Sequence, residues 1–502
     1  MSRSNILFLS FLLITSLAFV LPEKEKSQTY HSSFENVLGT SFDLKVNATN
    51  PEEAEWAEKT ALAEIDRLAA ILSSYDPNSE LSKWQSTHLQ PVKVSPELFE
   101  VLSLYDEWKE KTKGALDPAV GELINLWKSG EKNSKIPNGN DLKQALTSME
   151  QQQWLLNPNN QTASRTGKAS LIMNSFVKSY IINKVADLLM SNKNISAVLV
   201  NIGGDIVAKG NTTEKIKIEN PQLAADNMVD YESINLNNSS IATSGNYKRG
   251  FSISGNWYSH ILDPRSGLPV ERIKSATVVA QHATDAGALA TAFNVMDPNE
   301  SLKLASELGA EFKLTLTNGQ EIESEGWKNL LVKKVSADNK KLIEKKAKEK
   351  EWDKSFEVAI QLELAKFEGR FRRPFVAVWV EDAKKNTIKT LALWYNKPRW
   401  LPDLKEWYRK NNSSYNGGGQ DISVISSATR PAGSYTLKWD GKDDNGKYVN
   451  EGTYTVFIEA AREHGTYQIM KQEINCKKKP EHFEIPGNIE VTAASVDYKK
   501  VN

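Results

Sequence analysis

Residues 333–354 constrain the fold most, because they divide the chain into two lengths of different texture. They are rich in Lys interleaved with Glu, and Trp352 is their one aromatic. Mixed charge without an apolar face describes a solvated helical linker rather than a binding patch. A chain of 502 residues also exceeds what one ordinary core organises, so a boundary is expected on size alone.

Before the linker, over residues 30–332, strand-like and helix-like stretches alternate. Phe42-Asp-Leu-Lys-Val46 alternates as a half-buried strand does. Asn50-Pro51-Glu-Glu then supplies a cap, a proline at the first helical position and acids in the first turn. Ala61, Ile65, Leu68 and Leu72 follow on one helical face, and Ser95-Pro96-Glu97 repeats the start signal before Leu98, Val101, Leu102 and Tyr105. A third helix is expected over Phe176–Met190, leading into an apolar strand at Ala197–Ile202. After the linker, over residues 355–480, Val376–Val380, Ile388–Trp394 and Thr453–Ala460 are strand-like runs between turn clusters, the pattern of a β-sandwich. Residues 481–502 show no clear period and are expected to form a tail.

At the N-terminus, Arg3 precedes an apolar run from Ile6 to Val20 and a charged segment from Pro22, the layout of a secretory signal peptide over residues 1–22. The chain is therefore expected to be exported to a periplasmic or other extracytoplasmic space, membrane-associated if the signal is retained. No other segment approaches about 18 uninterrupted apolar residues. Lys+Arg and Asp+Glu both number 63, so no global field favours nucleic acid. With Cys476 as the single cysteine and only 6 His, thiolate clusters are excluded and any metal is expected on oxygen ligands.

Four polar segments fall at element boundaries. The first is Leu72-Ser-Ser-Tyr-Asp-Pro-Asn-Ser-Glu-Leu81, in which Tyr75 either stacks on a flat ring or closes a capped turn. The second is Gly114-Ala-Leu-Asp117-Pro-Ala-Val-Gly121, and the third Val200-Asn-Ile-Gly203-Gly204-Asp205, whose glycines either admit a phosphate to the backbone or make a tight turn. The fourth joins Thr243-Ser244-Gly245-Asn-Tyr247, Ser259-His260-Ile-Leu-Asp263-Pro-Arg-Ser-Gly267 and Ala283-Thr-Asp285-Ala-Gly-Ala-Leu-Ala-Thr291. His260 beside Asp263 is placed as a base near a phosphate ester.

In this order and spacing the segments resemble the FAD:protein FMN transferase family, often called the ApbE type, over about 300 residues from Gly39 to Glu325. The resemblance implies an α+β flavin-transferase domain that binds FAD, holds its diphosphate with Mg²⁺, and moves FMN onto a Ser or Thr hydroxyl of an exported protein with release of AMP. It implies His260 and Asp263 as catalytic residues. Tyr75, Asp117, Lys178, Gly203, Gly204, Asp205, Ser244 and Gly245 would bind FAD. The metal would be held by Thr291, the carbonyl of Val177 and, of the nearby acids, Asp285.

The likeness is uneven. The family places its metal-binding Asp four residues before the Thr, where this chain has Gly287. Asp285, six residues before Thr291, is expected to cap the helix rather than serve as a displaced ligand. Where the family reads Asp-Leu-Gly-Gly and then Ile-Ala-Lys-Gly-Tyr, the chain reads Ile172-Met-Asn-Ser-Phe-Val-Lys-Ser-Tyr180; Asn183 and Ala119 replace a common Asp and Thr. A weakened Mg²⁺ site follows, and a catalytically degenerate flavin-binding or partner-binding protein of extracytoplasmic electron transfer is the alternative.

The second half resembles an Ig-like, all-β domain sometimes appended to these transferases. Trp439-Asp-Gly-Lys-Asp-Asp-Asn-Gly-Lys447 reads as an acidic hairpin turn without bound Ca²⁺. Ser423-Val-Ile-Ser-Ser-Ala-Thr429 loosely resembles the flavin-acceptor sequence of the family's targets, or is an ordinary strand-to-turn segment. Trp394, Trp400 and Trp407 form either a docking face or packing.

Overall fold

The two sequence-marked helices begin as capping chemistry requires. Asn50 accepts from the Glu53 N–H to open Pro51–Leu72, and Ser95 accepts from the Leu98 N–H to open Pro96–Lys111. Such caps contribute about 1 kcal/mol each, by satisfying N–H groups that the first helical turn leaves without partners. Ala61, Ile65, Leu68 and Leu72 are fully buried, as are Leu98, Val101, Leu102 and Tyr105. The computed structural model describes residues 27–218, 232–246, 249–332, 350–395, 398–416, 426–427, 429–444, 446–463, 465–477 and 479–501. The expected signal segment, Tyr247, residues 333–349 of the linker and most of the segment before Thr429 lie outside them.

The N-terminal domain is built on an eight-stranded sheet. Its strands run in the order Gln28–Val37, Thr40–Ala48, Ile195–Ile202, Asp205–Gly210, Ser239–Gly245, Ile273–Ala280, Glu311–Leu316 and Glu321–Glu323. Every neighbouring pair is antiparallel. The helices Val177–Met190 and Ala283–Val295 lie against this sheet and against each other. Ala286, Ala288, Ala290 and Ala292 let the second helix approach closely, and Phe293 stacks edge-on to Phe312 with centroids 5.1 Å apart.

The C-terminal domain is a sandwich. One sheet orders Gly433–Trp439, Phe356–Leu364, Val491–Lys500 and Glu481–Ile485; the other orders Ser426–Ser427, Thr387–Trp394, Pro374–Asp382, Gly452–Arg462 and Tyr467–Cys476. Val358, Ile360, Val378, Val456, Ile458 and Val496 fill the space between them. Two sequence expectations change here, and one open alternative is decided. Residues 481–502 are no tail: Val491–Lys500 pairs with strands on both sides, its mixed burial having hidden the strand period. Trp352 belongs to this core, tilted against Trp439 and edge-on to Tyr454 and Tyr498, so the sandwich begins before residue 355. A helix, Lys405–Asn416, covers the outer face of the five-stranded sheet, where Trp407 packs with Phe375, Trp379 and Leu393. Trp394 and Trp407 are therefore core residues and not a docking face. The acidic turn after Trp439 is closed by its own backbone, Asp443 accepting from Gly446 and Lys447, and Asp444 pairs with Lys389.

Among the described residues, the segment Phe367–Arg373 joins the two domains through backbone bonds and ion pairs. The Phe371 carbonyl accepts from the Glu35 N–H at 2.8 Å, extending the edge strand of the eight-stranded sheet. Asn36, in the left-handed region at φ 59°, donates to the Phe367 and Gly369 carbonyls. Arg370 pairs with Asp66, Arg372 with Glu58, and the buried Arg373 with Glu35 and Asp43. Burial pushes the Glu35 carboxyl up against the pull of Arg373. Sequence reading missed this contact: Arg370, Arg372 and Arg373 are adjacent, but their acidic partners are scattered from Glu35 to Asp66.

Truncation after residue 480 is expected to remove a strand from the middle of its sheet and abolish the cooperative unfolding of the sandwich. Tyr498→Ala, which only empties the Trp352 cluster, is expected to cost about 3–5 kcal/mol in denaturant unfolding.

Candidate functional site

Two loops converge on residues 170–176. The Ser74 hydroxyl accepts from the Met173 N–H at 3.3 Å, and Asn174 donates to the Tyr75 hydroxyl at 2.6 Å. The Pro118 carbonyl accepts from the Ile172 N–H at 2.8 Å. Tyr75 is 80% exposed, so its ring face is free to stack even though its hydroxyl is held. Asp117 is occupied by structure: one oxygen caps the turn at Ala119 and the other pairs with Lys109 at 2.7 Å.

The helix Ala283–Val295 meets this loop along one side. Thr291 Oγ1 donates to the Ser175 carbonyl at 3.2 Å. The carbonyl facing Thr291 is thus that of Ser175, whereas Val177 is the first residue of the next helix. One turn before Thr291, a Cβ placed on Gly287 would lie 2.2 Å from Ser179 Oγ and 3.4 Å from the Phe176 Cα. Ser179 Oγ in turn donates to Asp205 Oδ2 at 2.8 Å. Burial raises the Asp205 carboxyl above the ordinary range, while the Lys178 charge and the Ser179 hydroxyl oppose the shift.

Asp205 follows the Gly203–Gly204 turn. Both glycines have positive φ, 60° and 99°, and join Ile202 to Asp205 as a two-residue hairpin. Their N–H groups are already used, Gly203 donating to the Ser41 carbonyl and Gly204 to Asn201 Oδ1, each at 3.0 Å. The turn reading therefore prevails over the phosphate-cradle reading. What the turn leaves open is bare backbone at Gly204, where a Cβ would meet nothing within 4 Å.

A second group of residues sits at the far end of the same helix. Asn294 donates to the Ser244 carbonyl at 3.0 Å, and Arg265 donates to the Val295 carbonyl at 3.2 Å. Gly245 ends its strand opposite Ser275. The Asp263 carboxylate is held in a two-point pair with Arg265 at 2.9 and 3.0 Å. His260 Nδ1 lies 3.0 Å from the Arg249 carbonyl. A carbonyl only accepts, so this nitrogen carries the proton and Nε2 keeps its lone pair. Burial lowers the His260 pKa from its usual 6.5, which favours that neutral form. Thr291 and Val295 are four residues apart, or about 6 Å along the helix.

A hard dication needs several oxygen ligands including carboxylate. Asp285 does not supply it beside Thr291: its electrostatic neighbours are His282, Lys111 and Glu107, and burial raises its carboxyl. Nor does it cap the helix, since His282 occupies that position without a side-chain bond and Asp285 is the third helical residue. Among the described residues no group of three or more His, Cys, Asp or Glu is disposed to hold a metal. Thr291 Oγ1 and the Ser175 carbonyl remain, with Ser179 filling the space beside Gly287. These residues do not fit the Mg²⁺ site that the family resemblance implies.

Ser179 and Ser175 went unnoticed in the sequence. The signal for Ser179 was a paired change, serine for the glycine of the Lys-Gly-Tyr pattern and glycine for the acid four residues before Thr291. Only contact between the two helices makes it one event.

Comparison with known proteins agrees with this architecture. An FAD:protein FMN transferase of Vibrio cholerae is 32% identical over 297 residues, 56% of this chain and 86% of that protein. One of Haemophilus influenzae is 28% identical over 321 residues, 60% of this chain and 90% of that protein. The crystal structure of the ApbE protein from Thermotoga maritima superposes with a TM-score of 0.55 at 28% identity, covering 61% of this chain and all of that one. The flavin transferase ApbE from Vibrio cholerae gives a TM-score of 0.52 at 25% identity, again over 61% of this chain and all of that one. Residues 356–493 match a family described as "Predicted periplasmic protein" (DUF2271). Among the described residues no helix is long and apolar enough to cross a membrane. The ApbE family matches residues 38–314, more than half of the chain, and the protein therefore belongs to the ApbE family.

Proposed function

We propose that this protein is an FAD:protein FMN transferase that moves FMN from FAD onto a Ser or Thr hydroxyl of an exported acceptor protein and releases AMP. The observation that carries the reading is the convergence of separate sequence segments on the helix Ala283–Val295, with Ser179 at Gly287, Ser175 at Thr291, and Ser244 and Arg265 at its last turn. Curated relatives named for that activity are similar over 56–60% of the chain. Tyr75 offers its exposed face to a flat ring, and Lys178 offers positive charge to the diphosphate next to the bare turn at Gly204.

The chemistry is a displacement at phosphorus. The acceptor hydroxyl attacks the FMN-side phosphorus, the bond from that phosphorus to the bridging oxygen breaks, and AMP leaves with the oxygen and its electron pair. His260 Nε2 accepts the hydroxyl proton, Nδ1–H being held by the Arg249 carbonyl. Asp263 orders the loop through Arg265. No step runs through Mg²⁺, because Gly287 offers no carboxylate and Ser179 occupies its place. That same crowding favours a second reading, a flavin-binding or partner-binding protein that no longer turns over.

FAD titration followed by an AMP-release assay with an acceptor protein separates the two. Binding with AMP release supports transfer, binding without release supports the second reading, and no binding overturns both. His260→Ala is expected to slow transfer by about 10²–10⁴-fold. Because burial lowers the His260 pKa, its neutral form persists below pH 6.5, and the acid limb of the wild-type rate profile is expected to fall below that value.

Gly287→Asp alone is expected to lose about 1–3 kcal/mol in thermal or denaturant unfolding, since its Cβ meets Ser179. Ser179→Gly/Gly287→Asp is expected to relieve the crowding and make AMP release respond to added Mg²⁺. A single variant as stable as wild type would show that the helices do not meet as described.

A further inference from the structure

The deepest contact between the two domains leads directly to the Gly203–Gly204 turn. Arg373, from the sandwich, donates from Nη1 to Asp43 Oδ1 at 2.9 Å and to the Thr429 carbonyl at 3.0 Å, while its Nε binds Glu35. Thr429 itself is buried, so it is not a surface acceptor hydroxyl. Asp43 lies opposite Asn201 in the strand register, and its second oxygen accepts from Asn201 Nδ2 at 3.2 Å. Asn201 Oδ1 then accepts from the Gly204 N–H.

The polarity of this chain is fixed at each link. A carboxylate only accepts, so Asp43 draws the amide nitrogen of Asn201 toward itself and turns the amide oxygen to Gly204. With that amide reversed, two donors would face each other at the turn. Arg373 holds Asp43 by charge and one Nη1–H bond, beside the Ser33 hydroxyl on the same oxygen, while its planar guanidinium is fixed by Glu35 at Nε and by the Thr429 carbonyl at Nη1. The turn carries Asp205, which meets Ser179 and Lys178. The same cluster thus extends from the sandwich to the two helices of the proposed flavin site.

We propose that Arg373 is a positioning residue for FAD binding, acting through Asp43 and Asn201 on the Gly203–Gly204 turn, so that the C-terminal sandwich is a working part of the transferase site. This rests on the reading that the turn borders bound FAD. Arg370 and Arg372 provide the control: they tie the same segment to Asp66 and Glu58 without touching Asp43.

The test measures FAD affinity by flavin fluorescence, and thermal unfolding in parallel, on full-length protein. Arg373→Ala is expected to weaken FAD binding about five- to tenfold, within the usual range of coupling between sites. Arg372→Ala is expected to leave affinity within about twofold of wild type while lowering the melting temperature. Asn201→Ala is expected to match Arg373→Ala, and the double variant to be little worse than either, as residues in one relay are non-additive. Arg373→Lys, which keeps the charge but not the fork, is expected to fall between, and with Asn201→Ala it decides the matter if Arg373→Ala does not fold. Wild-type binding with full affinity in the Arg373 variants, or equal losses in Arg372→Ala, overturns the relay and leaves the proposed function standing. No FAD binding by wild type overturns the proposed function and the relay together.

Discussion

The approach of two helices governs the rest of the N-terminal domain. Ala283–Val295 is lined with alanine and glycine, and Val177–Met190 lies close enough that one missing side chain on the first is filled by one hydroxyl from the second. Interiors pack near crystal density, so a volume vacated at Gly287 does not stay empty when a neighbour can occupy it. Ser179 does so and donates a hydrogen bond to Asp205. The position at which the family resemblance implies a metal-binding acid is here part of a hydrogen-bonded seam.

The sandwich meets the transferase domain by charge and backbone hydrogen bonds as well as packing. An edge strand with free N–H and C=O groups invites further pairing. Glu35 and Asn36 meet that exposure with the backbone of Phe367–Phe371, and the ion pairs of Arg370, Arg372 and Arg373 fasten the segment. Removing Arg373 would leave Glu35 and Asp43 without their countercharge, which is why a buried pair resists piecemeal change.

Much of the architecture was legible in residues 30–332. Asn50-Pro51 and Ser95-Pro96 announced helices that the structure contains, since caps and helix periods are local properties. The strands at Phe42–Val46, Ala197–Ile202 and Val376–Val380 were equally plain. The strand Val491–Lys500 was not, because Thr492 and Ala493 are exposed in succession and break the alternation. At the site, the order of motifs pointed to Tyr75, Asp117, Gly203, His260 and Thr291 as a group. It did not reveal that Asp117 is occupied by Lys109, that the glycine N–H groups are spent within the turn, or that Asp285 faces Lys111.

By itself the sequence determined the division into two domains, the helix starts at Pro51 and Pro96 and the family framework, all of which depend on neighbours in the chain or on ordered motifs. The tertiary structure decided which of those residues remain available for chemistry. Availability depends on partners far apart in sequence: Ser179 with Gly287, Arg249 with His260, and Arg373 with Asp43 and Asn201. A side chain's hydrogen-bonding capacity is finite, and only folding shows where it has been spent.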